Sequence, residues 1–156
     1  MSRDILLEQV GMQLVLLARL YRSELDKALK PYGLTEATAF PMRYLARLNE
    51  DVRQSRLAEI LNIEGPTLVR TLDQLVDCRL VEREADPSDR RANVVRLTPE
   101  GKRLHQLMRR TLQKVRNELF SGIPDDAVKT TSEVLDALDR NLQSITSEPL
   151  ASISSH

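Results

Sequence analysis

What the chain lacks narrows its chemistry first. Its 156 residues include one cysteine, Cys78, no tryptophan, and two histidines, His105 and His156. A single thiol excludes an internal disulfide and any zinc site built on several cysteines. No Ser/His/Asp or Cys/His grouping is visible, so no catalytic residue, metal ligand or cofactor is assigned and an enzyme is not expected. No apolar run approaches the roughly 20 residues that a membrane span requires. The N-terminus carries Asp4 and Glu8 and has neither a basic n-region nor a small-residue cleavage site, so no secretory signal is expected. These absences together point to a cytoplasmic protein with no membrane partner. Net charge is missing too, because 23 basic residues balance 23 acidic ones. Bulk charge therefore argues mildly against nucleic-acid binding, and the placement of the basic residues becomes the question.

What is present is an ordinary mixture, 41% hydrophobic and 29% charged, in a chain of about one domain's length. A long helix is expected from about Asp4 to Leu29, because Val10, Leu14, Leu17, Tyr21, Leu25 and Ala28 recur at steps of three and four. Pro31 and Gly33 stop it. Thr35 caps a second helix reaching about Leu48, with Pro41 inside it. Two short helices follow, about Ser55–Leu61 and Pro66–Cys78, joined by Asn62-Ile63-Glu64-Gly65. The period then changes. Leu80–Ala85 and Asn93–Leu97 read as a β-hairpin around DPSDRRA, whose Asp86-Pro87 opening is turn chemistry. Thr98-Pro99-Glu100 restarts a helix striped with Leu104, Leu107, Met108, Leu112, Val115 and Leu119. Gly122 ends it, and a last helix after Pro124 carries Val128, Val134, Leu135, Leu138, Leu142 and Ile145 on one side. Residues 147–156 read as a disordered Ser-rich tail. The fold class is therefore mainly α with a small β-hairpin wing.

On the second short helix, Leu68, Leu72, Leu75 and Val76 share an inward face, while Thr67, Arg70, Thr71 and Gln74 share the opposite one. A groove-sized helix with that polar face suits a major groove, where Arg forks to guanine, Gln pairs with adenine and Thr touches a thymine methyl or a phosphate. A solvated face on a core helix would look the same. Arg90 and Arg91 sit near the hairpin tip, where an arginine pair reaches an adjacent minor groove. Asp89 beside them is expected to hold one guanidinium in a preset plane. A charged surface turn is the plainer reading of that tripeptide alone. Arg56 and Arg83 are further candidates for phosphate contacts. The DNA-facing set comprises Ser55, Arg56, Pro66, Thr67, Leu68, Arg70, Thr71, Gln74, Asp89, Arg90 and Arg91.

The stretch SRLAEILNIEGPTLVRTLDQLVDCRLVEREADPSDRRANVVRLTPEG resembles the DNA-binding region of the MarR family, and IEGPTLVRTLDQL is especially similar to its SlyA branch. KPYGLT and SGIPDD also fit, extending the resemblance over about residues 5–146. It implies a winged helix-turn-helix at 34–98 and a helical dimerisation region formed by 1–33 and 99–146. It further implies an obligate homodimer acting on double-stranded DNA as a transcriptional regulator, repressor or activator, in a bacterial nucleoid. In the family, positions matching Thr67 and Arg70 read the major groove, and those matching Arg90 and Arg91 serve the wing. The chain departs from the pattern at Arg79, where relatives often have Gly, at Gly65, and at Cys78, which is read as a buried structural thiol.

Many such regulators release DNA when a small phenolic or aromatic carboxylate enters the crevice beside the winged domain. With aromatic residues at 3%, the candidates for lining such a pocket are Tyr21, Tyr32, Phe40 and Tyr44. Two alternatives stay open: an intrachain bundle in place of the dimer, and a winged helix that binds protein without reading DNA.

Overall fold

A computed structural model describes residues 2–147. The expected tail, 147–156, lies outside the described residues except for Ser147, which falls within the final helix. The first helix, α1 (Arg3–Leu29), starts at Ser2, whose hydroxyl accepts a hydrogen bond from the Ile5 amide, with Asp4 at the positive end of the helix. A single 3₁₀ turn, Lys30–Tyr32, and Gly33 at φ 69° then reverse the chain. The next helix, α2 (Glu36–Leu48), opens with a capping box: Thr38 N–H donates to the Thr35 hydroxyl, and Thr35 N–H donates to the Thr38 hydroxyl at 2.9 Å. The helix runs on through the buried Pro41 and ends at Asn49, in the left-handed region at φ 50°.

A two-residue strand, β1 (Val52–Arg53), leads directly into α3 (Gln54–Leu61). Asn62, again left-handed at φ 50°, closes α3, and Pro66 lies in the first turn of α4 (Gly65–Asp77). The hairpin consists of β2 (Val81–Asp86) and β3 (Asp89–Leu97), followed by α5 (Pro99–Leu119) and α6 (Asp125–Ser147). Thr98 joins the hairpin to α5. Its hydroxyl accepts from the Gly101 amide at 2.9 Å and donates to the Arg79 carbonyl at 2.7 Å. Among the described residues no helix is long and apolar enough to cross a membrane.

The sheet has three antiparallel strands in the order β1-β3-β2, with Val52 and Arg83 both opposite Val95. β1 was not expected, since two residues are too short to show a period. The hairpin loop is shorter than expected: Asp89–Ala92 belong to β3, which leaves Pro87 and Ser88 as the turn. Met42, Leu57, Leu72, Val95 and Met108 have no exposed surface and form one core with Leu29, Leu68, Leu75 and Leu112. Two expectations fail here. Val76 is exposed, one position past the inward stripe, and Cys78 is exposed at the end of α4, so it is not a buried thiol.

The chain divides into two compact units, Met1–Asn117 and Glu118–His156. Within the first, the cap Ser2 and residues 3–20 of α1 are exposed without exception, including Leu6, Val10, Leu14 and Leu17. Within the second, Val134, Leu135, Leu142 and Ile145 of α6 are exposed as well.

Candidate nucleic-acid interface

α4 separates its residues as its spacing dictates. Leu68, Leu72 and Leu75 are buried, while Pro66, Thr67, Arg70 and Gln74 are exposed. Leu68, assigned both to the inward face and to the DNA-facing set, belongs only to the former: its side chain is 1% exposed and presents no surface to a duplex. Thr71 is half-buried, and its hydroxyl donates to the Thr67 carbonyl at 3.1 Å. Arg70 has no ion-pair partner among the described residues.

The acid beside this face is neutralised from the side. Arg83 on β2 donates to the Asp73 carboxylate at 2.8 Å, which removes a negative charge from the helix flank. Arg83 is therefore an internal partner of α4 and not a free phosphate contact, correcting the expectation for it. Its Nε is buried without a hydrogen-bond partner. Ser55 and Arg56 lie exposed at the start of α3, and Arg56 reaches Glu59 at 3.1 Å.

The wing is held by two arginines that the sequence reading did not single out. Asp86, buried where a bulge interrupts the β2–β3 register, accepts from the Ser88 hydroxyl at 2.7 Å, the Ser88 amide at 2.8 Å and Arg53 Nε at 2.6 Å. The two Ser88 hydrogen bonds, followed by Arg53, hold its carboxyl below the ordinary value. Arg96 on β3 meets Glu82 at 3.0 Å, Glu84 at 2.6 Å and Asp51 at 3.1 Å, so one guanidinium gathers three carboxylates. The alternation of Glu82 and Glu84 on β2, opposite a basic β3 residue, was the available signal.

Arg90 and Arg91 remain exposed without an ion-pair partner among the described residues. Both lie in the segment between the Asp86–Asp89 and Ala85–Asn93 pairs, where the register shifts and the ladder is interrupted. Asp89 does not orient either guanidinium; its carboxylate accepts from the Arg91 backbone amide at 3.0 Å. The expected planar pair is replaced by a short turn-type bond, because β3 already begins at Asp89.

A cleft of about 530 Å³ lies between α2 and α5. Phe40 and Tyr44 line it, their rings edge to face with centroids 5.2 Å apart. The other two aromatic candidates pack on the core elsewhere, and the Tyr32 hydroxyl shares a 2.6 Å hydrogen bond with Thr111. Arg43, Arg47, Arg109, Arg116 and His105 complete much of the cleft's wall. Burial, then Arg109 and Arg43, push the His105 pKa down, which favours the neutral ring. Among the described residues no group of three or more His, Cys, Asp or Glu side chains is placed to hold a metal ion.

Comparison with known proteins places this arrangement. Residues 32–92, from the 3₁₀ turn after α1 into the first half of β3, match the MarR family. The solved structure of transcriptional regulator PA3341 is similar at 35% identity and a TM-score of 0.78, covering 86% of this chain and 98% of that one. A MarR transcriptional regulator from Methanosarcina mazei Go1 is similar at 30% identity and a TM-score of 0.76, covering 88% and 99%. A mutant MarR from E. coli complexed with operator DNA shares the fold at 23% identity, with a TM-score of 0.78 and coverage of 88% and 99%. Since regulators with 30% identity or more align over nearly their whole length, winged core and long helices included, the chain belongs to the MarR family of transcriptional regulators.

Proposed function

We propose that the protein is a sequence-specific regulator, closest to the SlyA branch, that binds pseudo-palindromic operators as a homodimer in the bacterial cytoplasm and nucleoid. The observation that carries this reading is the sorting of arginines. Arg53, Arg83 and Arg96 are tied to carboxylates and build the wing and its seat, whereas Arg70, Arg90 and Arg91 are exposed and free of acid. In this reading Thr67, Arg70 and Gln74, with Pro66 and Thr71 beside them, enter a major groove. Arg90 and Arg91 reach the neighbouring minor groove, and Ser55 and Arg56 approach the backbone. Residues 34–98 are the reading domain, and 1–33 with 99–146 form the dimerisation frame.

A second copy of the chain is the partner that the long helices fit. Nineteen consecutive helical or capping residues, 2–20, are all exposed in the single chain. A helix so isolated has little stability in water without a packed face. An aromatic acid in the α2–α5 cleft is the proposed effector, with Phe40 and Tyr44 against its ring. It releases DNA only by preferring the DNA-incompetent state, and about 5.5 kcal/mol of preference takes a 1:99 equilibrium to 99:1.

Selection from random duplexes tests the reading. The expected product is an inverted repeat with half-sites about 34–36 Å apart. Arg70→Ala should cost about 1–3 kcal/mol and relax preference at one base pair in each half-site. Replacing Arg90 and Arg91 by Ala should weaken binding to all duplexes and flatten its salt dependence. Enrichment without a symmetric motif would instead leave a winged helix used for protein contacts.

A further inference from the structure

The α2–α5 cleft holds more positive charge than a simple aromatic acid would use. Phe40, Arg43, Tyr44 and Arg47 follow one another at steps of three, one and three on α2, and His105, Arg109, Leu112 and Arg116 at steps of four, three and four on α5. Each set is a single helical face, so two mixed cationic and apolar stripes line one space. No aspartate or glutamate lines it. Other arginines of this chain of zero net charge do meet acids, Arg53 with Asp86, Arg83 with Asp73, Arg96 with three carboxylates and Arg103 with Glu100, while Arg70, Arg90 and Arg91 stand unpaired among the described residues, as the cleft arginines do. Among the described residues none of the four cleft arginines has an ion-pair partner.

We infer that the cleft binds a planar, ring-bearing ligand with at least two negative charges, of the phosphate-ester type, and not a monocarboxylate. The inference rests on the effector reading of this cleft and narrows its ligand class. A single carboxylate forks to one guanidinium and leaves the other three without a counter-charge. Like charges one turn apart, such as Arg43 and Arg47, repel, and each further negative charge on the ligand relieves more of that repulsion. A phosphate monoester carries close to two charges at neutral pH and offers three acceptor oxygens, enough to bridge guanidinium groups from both helices. The Phe40–Tyr44 pair supplies an aromatic wall for the ring. The volume lies within the range of about 300–1,000 Å³ typical of small-molecule sites.

Calorimetric titration of the full chain at fixed ionic strength and pH 7.5, without DNA, separates charge from ring. The three probes are benzoate (ring, one charge), inorganic phosphate (charge, no ring) and phenyl phosphate (both). Phenyl phosphate should bind at least about tenfold more tightly than either of the others. The Arg43→Gln/Arg109→Gln pair should lose about tenfold or more of that affinity while its affinity for duplex DNA stays that of the parent, and lysines at the same positions should lose less. Should the pair fail to fold, Arg47→Gln and Arg116→Gln, made singly, carry the same expectation. Benzoate binding as tightly as phenyl phosphate, no binding of any probe, or unchanged phenyl phosphate binding by the glutamine variants overturns the inference. So does a loss of DNA affinity with phenyl phosphate binding unchanged, which would make these arginines contacts to the DNA backbone. Because the titration contains no DNA, a negative result leaves the operator reading standing. A failed operator selection, conversely, leaves a measured phenyl phosphate site in place.

Discussion

The winged core and the long helices use the same apolar vocabulary and reach opposite outcomes. In the core, Leu57 and Leu72 come from short helices and lose all exposure. In α1, Leu6, Leu14 and Leu17 recur with comparable spacing and stay between 39% and 57% exposed, and in α6 Leu135 and Leu142 are 46% and 59% exposed. Amphipathic spacing states that a face is to be covered, not what covers it. The core finds its cover within the chain, through β1, β3 and α5. The first five turns of α1 do not, and neither does the apolar side of α6.

The largest expected effect comes from charging an open face. Leu135→Glu with Leu142→Glu costs little in a single chain, where both positions are already wet, but places two carboxylates in any interface that a second copy closes. Sedimentation equilibrium should show dimer converting to monomer. Operator affinity should fall by about 10²–10⁴-fold, the benefit of engaging two half-sites at once. A variant that remains dimeric and binds normally would break the comparison, because α6 would then be open for some other reason.

A smaller effect is expected at the tightest contact of the closed region. Gly101 lies in the first turn of α5 against the Leu80 carbonyl, and a Cβ there would fall inside the van der Waals shell of that oxygen. The carbonyl is not free to retreat, since it accepts from the Thr98 amide at 3.1 Å. Gly101→Ala should destabilise the fold by about 1–3 kcal/mol, seen as a lower denaturant midpoint with an unchanged slope. Alanine at Gly65, where nothing lies within 4 Å, is the control.

The two regions were also unequally legible in the sequence. Helix ends were plain wherever a capping side chain or a special backbone position marks them: Thr35, Asn62, Pro66 and Thr98 all act as their residue types suggest. The exposed polar face of α4 was visible because a strong 3.6-residue period leaves little freedom in which side turns outward. Contacts between distant positions were not visible. Asp86 with Arg53 and Arg96 with Asp51 join residues 33 and 45 positions apart, and no local pattern encodes a partner at that separation. The cationic cleft was missed for a related reason. Its stripes mix arginine with aromatic residues, and their meaning depends on α2 and α5 facing each other. Phe40 and Tyr44 stand out in a sequence so poor in aromatic residues, whereas the arginines between and opposite them look like any solvated charge until the two helices are brought together.

Asp86 offers a pH test within the closed region. Its folded pKa lies below the ordinary 3.8, so its contribution is complete above that value and is lost as pH falls through the depressed one. Parent and Asp86→Asn proteins should therefore differ in stability at neutral pH, with the difference beginning to shrink only as pH falls below about 3.8 and vanishing below the depressed folded value. Amide exchange at Ser88 should accelerate in the variant, since the Asp86 carboxylate is the acceptor for that N–H. A constant difference down to acid pH would mean that the carboxylate's charge contributes nothing to holding the hairpin turn.

The smallest effect has the opposite sign and lies at the joint between α4 and the wing. Arg79 sits at φ 57°, in the left-handed region, where an L side chain is crowded and glycine is not. Its backbone is fixed from both sides, with N–H donating to the Val76 carbonyl at 2.8 Å and C=O accepting from Thr98 at 2.7 Å. The conformation therefore stays whichever residue occupies the position. Glycine removes the steric penalty but adds freedom to the unfolded chain, so the two changes partly offset each other. Arg79→Gly should stabilise the fold by up to about 1 kcal/mol, with asparagine falling between the two. The gain should appear in the denaturant midpoint of the winged region and leave any self-association unchanged. Destabilisation by glycine would show that the exposed Arg79 side chain makes a contact worth more than the steric penalty, and the boundary between the closed and the open region would then run through this residue.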